Sequence, residues 1–390
     1  MNTQNYKTKT QFIERENGFC TDAWPIALDI GYSSVKLFSP NIVAMFPSYA
    51  RPFADKGTVG QLPREYIRYT DLESGETWLV GQMAQESVTV NEVVDSDEAL
   101  FGRQRYYDPM FRVITETALG IGLKKNRLGA PNGRRIIVQT GLPPKCTDED
   151  DMEGLKETIG GRHHFMLKIG SCTPVEFDFT IAKEDVYIML QPMGTLVSVS
   201  TDNDHRYTDM AQEYFQKNVL IFDPGFGTFD LFELRNHTVK DSQTFFNLGM
   251  KQVLLDTVVA IRKKYGQTVT LSAMQKYLET GKIRIYDRKN LVSRDVPFDD
   301  LLREASRNVC MAAIDRTNQI YPLMEYDYLI ITGGTGAAWE NMIRERLKGM
   351  ETLRIVGGNQ NDNLPLVFSN VRGYYQLRYN KLVKSGGMAS

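Results

Sequence analysis

A chain of 390 residues with 42% hydrophobic and 11% aromatic residues carries enough apolar material for two or three folded cores, which excludes wholesale disorder. Its 46 Lys and Arg against 48 Asp and Glu leave a formal charge of −2, so no global positive field exists to hold a nucleic-acid backbone directly. Four scattered cysteines without a C-x-x-C pair, and no apolar run of membrane-spanning length, exclude a disulfide framework, a zinc ribbon and a membrane span, and point to a reducing, cytoplasmic setting.

Residues 1–23 show neither helical nor strand periodicity and read as a flexible extension before a strong strand at 24–29 (WPIALD). Pro40, Pro47, Pro52 and Pro63 then punctuate a stretch suited to short strands and loops, expected as an inserted subdomain over about 40–108. A helix is predicted over 109–121 and a short buried strand over 135–140, stopped by Gly141-Leu142-Pro143-Pro144. The acidic stretch 148–157 reads as a solvated helix start. An apolar strand at 186–190 runs into Gln191-Pro192-Met193-Gly194 and a helix-like segment, which the polar run 201–209 interrupts. That interruption is the expected domain boundary, because a buried strand restarts at 219–222. Helical spacing follows over 248–265, 271–280 and 300–320, and residues 385–390 have nothing with which to fold.

An internal near-repeat carries the functional reading. Asp29-Ile30-Gly31-Tyr32-Ser33-Ser34-Val35-Lys36-Leu37-Phe38 lies over Asp223-Pro224-Gly225-Phe226-Gly227-Thr228-Phe229-Asp230-Leu231-Phe232, about half the chain away. Each copy follows a buried strand and precedes more strand residues, so the local geometry is strand, tight turn, strand. Neither G-x-G-x-x-G nor G-x-x-x-x-G-K-[ST] occurs at these sites, which excludes a Rossmann or Walker loop. A glycine-containing hairpin instead offers successive backbone N–H groups to phosphate oxygens, and two facing hairpins make a clamp. Asp29 and Asp223 supply hard oxygen acceptors for Mg²⁺, through its waters, while Lys36 adds a charge for the phosphates. A third cluster, Gly333-Gly334-Thr335-Gly336 after a buried strand and before a helix around 339–347, reads either as a plain strand-to-helix turn or as backbone room for an adenine and ribose. Lys276 and Glu279 either reach a ribose or adenine edge or form an ordinary i, i+3 surface pair. His163 and His164 are adjacent, lack metal-ligand spacing and are expected at the surface.

With these segments in order, the sequence resembles the actin-like ATPase superfamily of actins and sugar kinases, matching its two phosphate motifs and its adenosine motif. Within it, Thr140-Gly141-Leu142-Pro143, Gln191-Pro192-Met193-Gly194-Thr195-Leu196, Asn247-Leu248-Gly249 and Asn370-Val371-Arg372-Gly373-Tyr374-Tyr375 look most like the ParM-type bacterial actins of plasmid segregation. The resemblance implies an α/β fold of two domains, each a mixed sheet flanked by helices, with nucleotide in the cleft between them. The first domain is expected over 24–200, completed by about 365–384, and the second over 201–364. The resemblance further implies Gln191 and Asp223 as the catalytic pair, with Gln191 orienting the attacking water. The nucleotide would lie against the residues of the two hairpins, Gly249 and the third cluster. ATP with Mg²⁺ is the expected cofactor, GTP the alternative. The implied partners are further copies of the chain in a filament and a ParR-like DNA-binding adaptor on a plasmid centromere. The competing readings are a sugar or acid kinase of the same superfamily and an MreB- or phage-type cytoskeletal protein.

Overall fold

The computed structural model describes residues 2–54, 60–87, 103–287 and 290–386. Its first sheet has six strands in the order Gln11–Glu14, Ile42–Pro47, Ser34–Ser39, Ala23–Ile30, Arg135–Leu142 and Val186–Leu190. The first four are antiparallel neighbours and the last two join in parallel. Every residue of Ala23–Ile30 is buried. Its near-continuous apolar run suits a central strand covered on both faces, here by the helices Pro109–Leu123 and Ser369–Gly386. Asp108 caps the first of these, accepting from the Met110 amide, with Pro109 in the first turn, where its missing N–H costs nothing.

The third sheet repeats this plan. Its order is Thr238–Phe245, Phe229–Arg235, Asn218–Pro224, Tyr328–Ile331 and Arg354–Gly357, an antiparallel meander continued by two parallel strands. Helices Met250–Tyr265, Asp299–Ile320 and Gly333–Leu347 cover it. Two large apolar clusters result, one holding Trp24, Leu28 and Phe165, the other Leu220, Phe222 and Trp339. The protein is therefore α/β, with duplicated mixed sheets flanked by helices in two domains.

A five-stranded antiparallel sheet accompanies the first domain, in the order Val175–Ile181, Gly161–Ile169, Ile67–Asp71, Thr77–Val80 and Ala50–Pro52. The stretch expected as one insertion, 40–108, is thus divided. Ile42–Pro47 pairs with Ser34–Ser39 in the first sheet, because only Pro40 and Asn41 separate them, and the strands beyond it need two partners from 161–181 to complete a sheet. Residues 55–59 and 88–102 of that stretch lie outside the described residues.

Three further expectations change. Residues 2–23 are not a loose extension: Thr3–Tyr6 forms a helical turn, Gln11–Glu14 adds an edge strand to the first sheet, and Tyr6 is buried. No periodicity announced this, since the segment is held by single side chains inserted into neighbours. His163 is a core residue, not a surface one: its Nδ1 lies 2.9 Å from Glu116 Oε1 and its Nε2 2.9 Å from the Ile159 carbonyl. His164, the next strand residue, points the other way to Glu176. Finally, Ser385 and Gly386 still belong to the last helix, and 387–390 lie outside the described residues. Among the described residues, no helix is long and apolar enough to cross a membrane.

Candidate functional site

Both hairpins close with the same bond. The Gly31 amide donates to the Ser34 carbonyl at 3.1 Å, and the Gly225 amide to the Thr228 carbonyl at 2.7 Å. A Cβ on either glycine would meet that same carbonyl at 3.1 or 3.0 Å, so each turn is tight enough to favour glycine. The turns also touch each other, since a Cβ on Gly227 would sit 2.7 Å from the Tyr32 ring. Behind the second turn, the Gly225 and Phe226 carbonyls accept from the amides of Met250 and Lys251, which satisfies the start of the helix after Gly249. A Cβ on Gly249 would fall 2.6 Å from the Phe226 carbonyl.

The acidic residues at the heads of the hairpins are both buried. Asp29 stands opposite Lys36 in strand register, and the Lys36 ammonium donates to Asp29 Oδ2 at 3.0 Å. Asp223 stands opposite Asp230. One oxygen of Asp223 accepts two side-chain amides, from Asn370 at 2.8 Å and from Gln191 at 3.4 Å. Asn370 is itself oriented by the Thr195 hydroxyl, 2.6 Å from its Oδ1. Burial, together with the charge of Asp29, pushes the Asp223 carboxyl up to about 6 against the Asn370 bond. Burial and the neighbouring Asp223 push Asp230 up to about 7, opposed by the hydroxyls of Thr244 and Thr228.

Two adjoining cavities, of about 220 and 50 Å³, open between these elements. Asp29, Ser33, Ser34, Lys36, Gln191, Asp223, Gly225, Phe226, Gly333, Gly334 and Thr335 line the larger; Gly31, Tyr32 and Thr228 line the smaller. Gly333 has φ +79°, and a Cβ there would meet Asp223 Oδ1 at 2.7 Å, so the third glycine cluster is pressed against the second hairpin as the first turn of a helix. Thr335 fastens it by donating to the Gly225 carbonyl at 2.8 Å. Gly227, Gly249 and Gly336 stand behind this surface and shape it by close approach.

Lys276 and Glu279 are not brought to the cleft. Lys276 is exposed, and Glu279 is held by Lys7 at 2.9 Å and by Gln4. Residues 5–8 line the larger cavity instead. Asn370 enters the sequence reading only as part of the resemblance, with no place at the site, yet it reaches Asp223 from 147 positions away. Asp230 was visible as the end of the repeat, where it matches Lys36, but its pairing with Asp223 needed the strand register.

Asp29 and Asp223 fit a small hard cation that keeps part of its water shell, because their mutual repulsion inside the cleft is what a divalent ion relieves. Among the described residues no group of three or more His, Cys, Asp or Glu could hold a metal. Asp29 and Asp223 would therefore hold a Mg²⁺ only together with ligands from outside the protein, such as phosphate oxygens and water.

Residues 27–194 match the family model described as the N-terminal domain of actin-like proteins. A comparison with curated proteins gives no significant match. Among solved structures, the pCBH ParM non-polymerisable quadruple mutant superposes with a TM-score of 0.69 at 17% identity, covering 92% of this chain and 99% of its own. The 15-stranded ParM filament from Clostridium botulinum gives 0.67 at 16% identity over 92% and 100%. The archaeal actin homologue Ta0583 in complex with ADP gives 0.61 at 15% identity over 91% and 99%. Likenesses at such identities speak for the fold: the chain has the two-domain fold of the ParM-type bacterial actins, and residues 27–194 of it match an actin-like N-terminal domain.

Proposed function

We propose that the protein is an ATP-dependent, filament-forming actin-like ATPase that moves plasmid DNA through a separate DNA-binding adaptor of the ParR kind. The observation that carries this reading is the meeting of Gln191 and Asp223 between two copies of one phosphate-sized turn. We divide the chain into a first domain, 24–200 with 365–384, and a second, 201–364, so that each contributes one turn.

In this reading the amides of the two turns take the phosphate oxygens and Lys36 supplies a neutralising charge. Asp29 and Asp223 would hold a Mg²⁺ through its waters, and the ion would supply positive charge to offset that of the phosphates. Gln191 orients the attacking water, and Asp223, fixed by Asn370, holds the Gln191 amide in place. Filament formation draws support from the ParM filament among the structural neighbours, and ADP binding from the Ta0583 complex. A net charge of −2 gives no field for duplex DNA, which is why an adaptor is required.

Equilibrium binding of ATP with Mg²⁺, followed by single-turnover hydrolysis without any acceptor, tests the reading. Binding and acceptor-independent release of phosphate are expected. ATP consumption only after a sugar or carboxylic acid is added contradicts it and assigns the protein to the kinases of the superfamily.

A further inference from the structure

The segment before the first sheet links the two domains across the mouth of the cleft. At one end, Gln11–Glu14 pairs with Ile42–Pro47 of the first sheet. At the other, the Thr3 hydroxyl donates to the Leu278 carbonyl at 2.7 Å, and Tyr6 enters the core of the second domain, its hydroxyl 3.0 Å from Ser306 Oγ. Ser306 also accepts from the Trp339 indole at 3.0 Å, so Tyr6 reaches the helices behind the third glycine cluster. Between these anchors, Asn5, Tyr6, Lys7 and Thr8 line the larger cavity together with Met250 and Ala337. The Thr8 amide donates to Gln275 Oε1 at 3.3 Å, which ties the segment to the helix Leu271–Thr280.

Lys7 is the point of tension. Its side chain is 3% exposed, and its ammonium contacts Glu86 Oε1 at 3.0 Å and Glu279 Oε2 at 2.9 Å. Glu86 ends the short helix Gln82–Glu86 beside the first domain's sheets, whereas Glu279 lies in the last turn of the helix Leu271–Thr280 of the second. These two helices touch. Burial works against the Lys7 charge, yet the bonds to Glu279 and Glu86 hold its pKa above the ordinary lysine value. Without that ammonium, two carboxylates from different domains would face each other at the mouth of the cleft.

We propose that residues Asn5–Thr8 form the base-side wall of the nucleotide site, and that Lys7, shared by Glu86 and Glu279, latches this wall across both domains and thereby sets how long a nucleotide stays bound. The proposal rests on the nucleotide reading of the cleft. Opening the domains far enough to release a nucleotide must separate Lys7 from one of its two carboxylates, which makes the latch part of the release barrier.

Hydrogen exchange on the wild-type protein, with and without ADP and Mg²⁺, tests the wall. Slower exchange of peptides covering residues 4–10 is expected when nucleotide binds. Faster exchange would mean that nucleotide displaces the segment, and unchanged exchange that it stands apart; either overturns the proposal. Stopped-flow release of a ribose-labelled fluorescent ADP tests the latch. Lys7→Met should release it about tenfold faster or more, the effect expected when one partner of a buried charge pair is removed. Adding Glu86→Gln and Glu279→Gln to that variant removes the facing charges and should slow release again, a rescue that mere loss of packing would not produce. Release from Lys7→Met at the wild-type rate, or a triple variant as fast as Lys7→Met, overturns the latch while wild-type binding leaves the nucleotide reading standing. Failure of the wild type to bind the labelled ADP overturns both.

Discussion

Gln191, at the start of a helix, and Asp223, in a strand of the third sheet, meet over 3.4 Å, the Gln191 amide donating to Asp223 Oδ2. Gln191 opens the helix that follows the last parallel strand of the first sheet, and Asp223 lies near the end of the first hairpin strand of the third. Asn370 delivers a second amide to the same oxygen. Neither donor is an ion, so the carboxylate is positioned without being neutralised, and burial leaves it with a raised pKa of about 6. A group held in this way can guide a water and respond to a cation.

Replacing Gln191 should therefore spare binding and impair the chemical step. Gln191→Ala is expected to bind ATP normally and to hydrolyse it about 10² to 10⁴ times more slowly, the usual cost of losing a positioned polar group. Single-turnover phosphate release measures this. Wild-type hydrolysis in the variant would remove Gln191 from the mechanism.

Binding of nucleotide with Mg²⁺ should expel protons in mildly acidic solution. Near pH 6 the empty protein holds Asp223 partly protonated, with Asp230 raised to about 7 behind it, and a cation at the cleft favours the ionised form. Calorimetry in buffers of different ionisation enthalpy should show proton release at pH 6 that fades by pH 8 and shrinks in Asp223→Asn. The same shifts act on folding. Because the folded state holds these protons more tightly than the unfolded chain, whose ordinary aspartate value is 3.8, their contribution to stability falls as pH rises from about 4 towards 7.

The helices Gln191–Ser200 and Ser369–Gly386 approach through glycine. A Cβ on Gly373 would lie 1.7 Å from the Gly194 carbonyl oxygen, which is backbone and cannot swing aside. Gly373→Ala should cost about 3 kcal/mol in urea unfolding, as overpacking of a dense interface does. It should also weaken hydrolysis, since the same helix carries Asn370. Gly349→Ala has open space around it and should stay within about 0.5 kcal/mol of wild type.

Glu116 anchors the core of the first domain by accepting from Tyr69, pairing with His163 and receiving Arg112 at 3.1 Å. Burial would raise its pKa, but His163, Tyr69 and Arg112 together hold it below the ordinary value of 4.5. Its stabilisation is thus present above pH 4.5 and is lost as pH falls below that value. Glu116→Gln should flatten this acid limb in thermal melts, and Glu116→Ala, which strands buried partners, should cost about 3–5 kcal/mol at neutral pH.

What the sequence made legible was local. The turns at Gly31 and Gly225 each span four residues, so their glycines, aspartates and flanking strands can be read as a duplicated hairpin before any sheet is known. The helices 250–265 and 299–320 follow from periodic apolar positions and end within a residue or two of expectation. Contacts made across the chain were illegible. Asn370 and Tyr6 act at the cleft through single side chains that share no pattern with what they touch. His163 was misread because strand alternation sends one of two adjacent histidines inward, and only the sheet's orientation decides which. The Gly333–Gly336 cluster suggested a free turn, whereas one residue of positive φ suffices to start the helix directly from the strand.

Sedimentation of the purified protein at micromolar concentration with ATP and Mg²⁺, ADP and Mg²⁺, or no nucleotide shows whether ATP drives this chain into a filament. Two domains closing on a nucleotide present a defined surface to the next copy, and a head-to-tail contact that does not close on itself yields an open filament. Pelleted polymer is expected with ATP, little with ADP or without nucleotide, and persistent polymer for Gln191→Ala, in which ATP should be hydrolysed slowly. Protein that stays in the supernatant with ATP, or that pellets equally in all three states, would contradict the filament reading.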